Sequence, residues 1–197
     1  MARTQQQRRA ETVSRLLDAS IETIIEVGYA RASAKVIAGR AQVSDGALFR
    51  HFATMGDFMA ATAYEVMRRQ LDLFTKQVAE IPADQPALEA VLTILRDVTG
   101  NDTNTVMYEL LVAARTDAKL RATLRDVLTE YATNISDIAR SLPGADEWPQ
   151  DMFGALVAML TNTFDGAALV RPVLPQPEIE AQRIRLLAAL LSPQSPA

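Results

Sequence analysis

The sequence predicts an all-α fold, and three observations carry that prediction. No stretch sustains the apolar–polar alternation of a half-buried strand, whereas apolar residues recur at helical spacing through most of the chain. Ala, Leu, Arg and Glu, all good helix formers, dominate the composition. Glycine and proline are sparse, and the prolines fall between apolar runs rather than inside them. With 197 residues, 49% of them hydrophobic and 22% charged, the chain can bury a core in one domain or two and should be folded.

Residues 1–7 read as a flexible tail carrying Arg3, with Arg8 and Arg9 at its base. The tail is either a solvated terminus or an arm that touches phosphate or the minor groove. The first helix spans 8–27, where Val13, Leu16, Leu17, Ile21, Ile24 and Ile25 form one buried stripe. Gly28 stands where a left-handed C-terminal cap is expected, and Tyr29 closes the end. Two short helices follow. Ser33 caps the first, 34–41, whose apolar face is Val36, Ile37 and Ala41. Gln42 and Val43 make the turn. Ser44 caps the second, 45–52, which buries Leu48 and Phe52.

So short a turn forbids an antiparallel pair, and the two helices must cross steeply. That is a helix-turn-helix, whose second helix can enter a DNA major groove. Its exposed side is expected to hold Asp45, Gly46, Ala47, Phe49, Arg50 and His51. Arg50 has the reach and the fork to pair bidentately with guanine. Ser33, Lys35, Arg40 and Ser44 are placed for phosphate oxygens. The plainer reading leaves the serines as caps and Arg50 in solvent.

Thr54 with Asp57 forms a capping box for the fourth helix, 56–81, with Phe58, Thr62, Val66, Leu73, Phe74 and Val78 inward. At 1.5 Å per residue it reaches about 40 Å, longer than a three-helix DNA-binding domain needs, so it reads as a rod into a second domain. Pro82 to Pro86 breaks the chain, and Pro86 suits the first turn of the fifth helix, 86–98. The sixth and seventh helices are 103–115 and 118–141. The eighth, 149–170, is apolar nearly all round, so it must be buried on every face, which calls for a partner helix from elsewhere. The ninth is 178–191, and the tail from Ser192 is expected to be disordered.

The run Gly28-Tyr29, Ser33, Ile37-Ala38, Ala41, Val43-Ser44, Gly46, Leu48-Phe49 and His51-Phe52 resembles the DNA-binding domain of the TetR family of transcriptional regulators. The resemblance covers about the first 60 residues and rests on combined spacing, which fixes two caps, one turn and one apolar stripe together. LLVAARTDAKLRATL through LTNTFDGAALVRPV is similar to one subgroup of the family's C-terminal domains. The resemblance implies a helix-turn-helix domain over 1–55 and a ligand-binding and dimerisation domain over 56–197. It implies a homodimer formed by the last two helices of each subunit, here through Gly154, Ala155, Ala158, Asp165, Leu169, Ile184 and Leu187. A palindromic operator would be the DNA partner and a small molecule the effector, with repression the expected output. Three positions depart from the pattern: Met55 replaces a common Lys, Phe49 a common Tyr, and Asp45 a basic or neutral residue. Each weakens the grip on phosphate. They support a second reading, an all-α dimeric binding or interaction module with weakened or lost DNA binding.

Scattered polar and aromatic residues in apolar surroundings fit an effector pocket, with Tyr64, Met67, Tyr108, Arg115, Phe153, Asn162 and Thr163 as candidates. They fit core packing and interhelical hydrogen bonds equally well. With no Cys and one His, thiolate chemistry, disulfides and His-rich metal sites are excluded, so no catalytic centre, metal or cofactor is expected. Net charge is −4, but residues 1–60 hold eight basic against six acidic side chains, so the basic side is the helix-turn-helix side. The N-terminus has no apolar core of a signal peptide, and no apolar run approaches the length of a membrane span, so a cytoplasmic location is expected.

Overall fold

A computed structural model describes residues 4–82, 87–142 and 144–192. Among them the backbone forms nine α-helices and no strand. These are α1 Gln5–Val27, α2 Ala34–Arg40, α3 Asp45–His51, α4 Met55–Ala79, α5 Ala87–Thr99, α6 Asp102–Ala114, α7 Ala118–Arg140, α8 Gln150–Val170 and α9 Pro177–Leu191. The expected roles of Arg3, of Pro86 and of the tail beyond Ser192 lie outside the described residues. The helices divide into two compact units. One holds the described residues up to Arg68 with Asp102–Leu128, and the other holds the rest. This division passes through α4 and α7.

The first unit is built on α1. Its helix begins at Gln5, a turn earlier than the sequence suggested, because Thr4 and Gln7 close a capping box. The Gln7 N–H donates to Thr4 Oγ1 at 3.2 Å and the Thr4 N–H to Gln7 Oε1 at 2.9 Å. Two end donors that would otherwise face water alone are thereby paired. The expected flexible tail is thus corrected for residues 4–7. Leu16, Ile24, Ile37, Leu48, Phe58 and Val66, on α1 to α4, are all fully buried in this unit. The Thr62 hydroxyl lies 3.0 Å from Ser20 Oγ and 3.0 Å from the Phe58 carbonyl, a buried polar tie between α1 and α4. Gly28 has φ +79° and ψ 158°, a region essentially restricted to glycine, so it closes α1 by positive φ but not in the left-handed helical form expected.

α4 opens as the sequence predicts. The Thr54 N–H donates to Asp57 Oδ2 at 2.9 Å, and the Asp57 N–H donates to Thr54 Oγ1 at 3.1 Å. In the second unit, Phe74, Leu92, Leu95, Val98, Phe164 and Ile184 form the core, joining α4, α5, α8 and α9. The amides of Gln70 and Asn101 exchange hydrogen bonds of 3.0 and 2.9 Å, which satisfies a buried glutamine. One expectation is corrected here: Leu73 on α4 is exposed. Within its own chain α8 turns Phe153, Phe164 and Ala168 inward and leaves Met152, Met159, Leu169 and Val170 exposed, so part of its apolar surface is uncovered by the single chain. By length and composition alone α8 is also apolar enough to cross a membrane, contrary to the expectation that no run would be.

Candidate functional site

The α2–α3 pair is set by its anchors. Ser33 has the extended backbone of a cap, and its Oγ accepts from the Val36 N–H at 3.4 Å. Ile37, Ala38 and Ala41 face the core. Val36 does not, with 47% of its surface exposed, so the apolar face of α2 is one position narrower than expected. The turn closes when the Val43 N–H donates to the Ala38 carbonyl at 3.0 Å, with Gln42 at φ +54°. A side chain at positive φ costs roughly 1–2 kcal/mol, so the turn is held by what flanks it. Ser44 has cap-like backbone angles, but its hydroxyl makes no capping bond. Only its carbonyl takes part, accepting from the Ala47 N–H at 2.8 Å.

α3 is keyed into the unit by Leu48, fully buried, and by Ala47, which is 7% exposed. Ala47 therefore does not belong to the outward face where the sequence reading put it, since it lies beside Leu48 on the inward turn of the helix. Asp45, Gly46, Phe49 and Arg50 are exposed. Phe49, at 46%, is a large apolar group left in water. His51 is half-buried, and its Nδ1 is shielded from solvent without a hydrogen-bond partner. Burial, and then the charges of Arg9 and Arg50, hold its pKa below the ordinary imidazole value. Phe52 is half-buried rather than fully buried and packs at a tilt on Phe58, ring centroids 4.9 Å apart.

The cations sort into two groups. Lys35, Arg50, Arg8 and Arg9 are exposed. Arg40 is paired with Glu22 at 3.5 Å and with Glu26, both on α1. In this DNA-free state the guanidinium ties α2 to α1. Behind α2, the Tyr29 N–H donates to Glu109 Oε2 of α6 at 3.1 Å. Burial and the Asp117 charge raise the Tyr29 phenol above its ordinary pKa. The pairing of Glu109 with Tyr29 spans 80 residues and leaves no local signal in the sequence.

A cavity of about 360 Å³ opens in the second unit. Leu88, Val91 and Leu95 of α5, Ile135 and Ala139 of α7, and Phe153, Val157 and Thr161 of α8 are among its walls, with Trp148 beside them. Of the seven residues expected to bind an effector, only Phe153 lines it. Tyr64, Met67, Tyr108 and Arg115 belong to the first unit. Tyr108 accepts there from Asn104 Nδ2 at 2.8 Å, Met67 is core, and Tyr64 and Arg115 are exposed. Asn162 is exposed, and Thr163 donates to the Met159 carbonyl at 2.7 Å, both outside the wall. The polar side chains that do line it include Thr161, Glu147 and Ser192.

On α8 and α9 the expected interface residues divide. Gly154, Ala155, Ala158 and Leu169 are exposed and Asp165 is half-buried. Ile184 is only 3% exposed and Leu187 packs against the same core, so both are used inside their own subunit. The exposed apolar positions of α9 are instead Ile179, Leu186 and Leu190. Burial, and then the charge of Asp165, push the Tyr131 phenol up to about 12. Among the described residues no group of three or more acidic, His or Cys side chains is placed to hold a metal.

Residues 16–62 match the family model described as bacterial regulatory proteins, tetR family. A protein of Mycobacterium tuberculosis named as an uncharacterized HTH-type transcriptional regulator is 71% identical over 192 residues, 98% of each chain. The multidrug binding protein EbrR complexed with ethidium superposes with a TM-score of 0.67, at 24% identity over 93% of this chain and 99% of that one. The transcriptional regulator FadR from Bacillus subtilis in complex with stearoyl-CoA superposes with a TM-score of 0.64, at 20% identity over 90% and 96%. At these identities the two structures share the fold.

Proposed function

Because the chain belongs to the TetR family of helix-turn-helix transcriptional regulators, we propose that it acts as a homodimeric repressor released from a palindromic operator by a small-molecule effector. The protein is a DNA-binding regulator, not an enzyme. The observation that carries the DNA-reading proposal is the outward face of α3. Gly46, Phe49 and Arg50 stand in solvent while Ala47 and Leu48 lock the helix to the core. Arg50 is the residue with the geometry to read a guanine, Phe49 suits a thymine methyl, and Lys35, Arg8 and Arg9 supply phosphate contacts. Ser33, Ser44 and Gly46 keep the backbone close enough to the groove for those contacts.

Two-fold symmetric DNA needs two recognition helices, and the exposed apolar strip of α8 and α9 supports self-association. Met159 and Leu169 on α8 and Leu186 on α9 offer large apolar surface, and Gly154, Ala155 and Ala158 let a facing helix approach closely. A second copy is a better cover for this strip than lipid, because α8 already packs Phe153, Phe164 and Ala168 into its own unit and carries Asp151, Asn162 and Asp165. A cytoplasmic location follows from the proposed DNA partner. The ligands named for EbrR and FadR support the idea of a small-molecule effector, and the cavity walled by Phe153 and Thr161 is its proposed seat. The effector would act by binding the DNA-incompetent arrangement more tightly.

The test is selection of DNA by the purified protein from sheared genomic fragments of its source at moderate salt. Recovery of a two-fold symmetric sequence near a promoter, lost on Arg50→Ala with the helical content unchanged, is the expected result. Indifference between promoter and random fragments would instead favour a dimeric binding module that has lost DNA recognition.

A further inference from the structure

α8 separates two surfaces. Phe153, Leu156, Val157, Leu160 and Thr161 line the cavity of the second unit. Their spacing, continued by the buried Phe164, is one stripe of a helix with about 3.6 residues per turn. Ala155, Ala158, Met159 and Asn162 lie on the opposite side and are exposed. They belong to the strip proposed above for a second copy of the chain. One helix diameter, about 10 Å, therefore stands between the cavity and that strip.

On the outward side, Ala155, Ala158 and Gly166 carry no more than a methyl. A facing helix would rest there on the α8 backbone rather than on long side chains that can yield. On the inward side, a molecule in the cavity would pack between α8 and the walls opposite, Leu88 and Val91 of α5 and Ile135 and Ala139 of α7. These apolar side chains, with Leu156 and Leu160, favour an apolar occupant. The occupant and the second copy would thus hold one stretch of backbone from two sides. Order that one of them imposes on α8 need not be supplied again by the other, which makes their binding cooperative. The cavity and the strip lie in the same compact unit, so this coupling needs no movement between units.

We propose that an apolar molecule in this cavity and a second copy of the chain bind cooperatively through α8. Occupancy tightens self-association, and self-association tightens occupancy by the same factor. The proposal deepens the effector reading above and rests on its self-association, not on DNA recognition.

Trp148 is the only tryptophan of the chain and lines the cavity, so its emission reports on this site. The probe is 1-decanol, and the full-length protein is used throughout. Sedimentation equilibrium gives the oligomeric state of the wild type and of Leu186→Glu and Ile179→Glu, substitutions at exposed α9 positions outside the cavity lining. Circular dichroism checks that each variant folds. Each protein is then titrated with decanol, read by Trp148 fluorescence and calorimetry. The wild-type dimer is expected to bind decanol at least about fivefold more tightly than a folded monomeric variant. Saturating decanol should lower the wild-type dimer dissociation constant by the same factor, a comparison that needs no variant. Ala139→Phe or Val91→Phe, which fill the cavity from α7 or α5, should abolish both effects. Equal or tighter decanol binding by the monomer, no saturable binding to the dimer, tightening that survives both filled cavities, or dimers that survive both α9 substitutions would overturn the proposal. A monomeric wild type would overturn the self-association reading along with it. A dimer that binds decanol without any change in its dissociation constant counts against this proposal alone.

Discussion

Arg50 and His51 are neighbours on α3 with opposite fates, one in solvent and one half-buried. For Arg50, loss of a bidentate base contact should cost about 1–3 kcal/mol per half-site, with no change in thermal midpoint. Competition between operator and scrambled duplex reads that loss. For His51, burial first and the charges of Arg9 and Arg50 second favour the neutral ring. The folded pKa is therefore depressed below about 6.5. The stability this group contributes is complete above that value and is lost as pH falls through the folded pKa, because the unfolded chain binds the proton more readily. Urea titrations between pH 7.5 and 5 should show such a decline, and His51→Gln should flatten it. Phosphates docked beside Arg9 and Arg50 would reverse the electrostatic bias, so operator binding should take up protons and tighten on mild acidification. Arg40 gives a smaller effect. Its pairs with Glu22 and Glu26 are partly exposed, so Arg40→Ala should change stability by no more than about 1 kcal/mol.

At the level of single elements, the sequence was most informative where structure is made locally. The Thr54–Asp57 box, the Ser33 cap and the buried stripe through Ile37 and Leu48 all depend on neighbours a few residues away, and all were legible. The Thr4–Gln7 box is equally local, but glutamine-rich sequence beside an arginine pair reads as a tail unless Thr4 is taken as a cap. Ala47 and Val36 were misplaced because a seven-residue helix has too few turns to fix its inward face from periodicity. Of the cavity, only Phe153 was legible. Thr161 and Thr163 look alike in sequence, and only the rotation of α8 against α5 and α7 decides which of them faces it. Long-range ties behave likewise. The Glu109 carboxylate holds the Tyr29 N–H at the joint between α1 and α2, within the same unit. Glu109→Ala should leave that N–H without its partner and cost about 1–3 kcal/mol. Hydrogen exchange should locate the loss at residues 28–33 rather than throughout α6.

For the whole molecule, the proposal joins two surfaces, the outward face of α3 and the apolar strip of α8 and α9. If the strip is the dimer contact, Leu186→Glu should yield monomers by sedimentation equilibrium. It should also abolish binding to a full palindrome while leaving α3 folded, since Leu186 is 60% exposed in the single chain and takes no part in its core. The residues called for by resemblance were only partly suitable, because Ile184 and Leu187 are engaged in the core beside Phe164. That distinction between inward and outward apolar residues depends on packing. Composition could not supply it for α9, whose apolar residues face both inward and outward. The central claim, that α3 reads symmetric DNA, is tested most directly by equilibrium binding of wild-type and Arg50→Ala protein to the recovered promoter palindrome and to its scrambled counterpart at one moderate salt concentration. The account predicts a clear wild-type preference for the palindrome that Arg50→Ala largely removes, leaving weak, salt-sensitive binding to both. Equal affinity of the wild-type protein for the two duplexes, or a preference that survives Arg50→Ala intact, would contradict it.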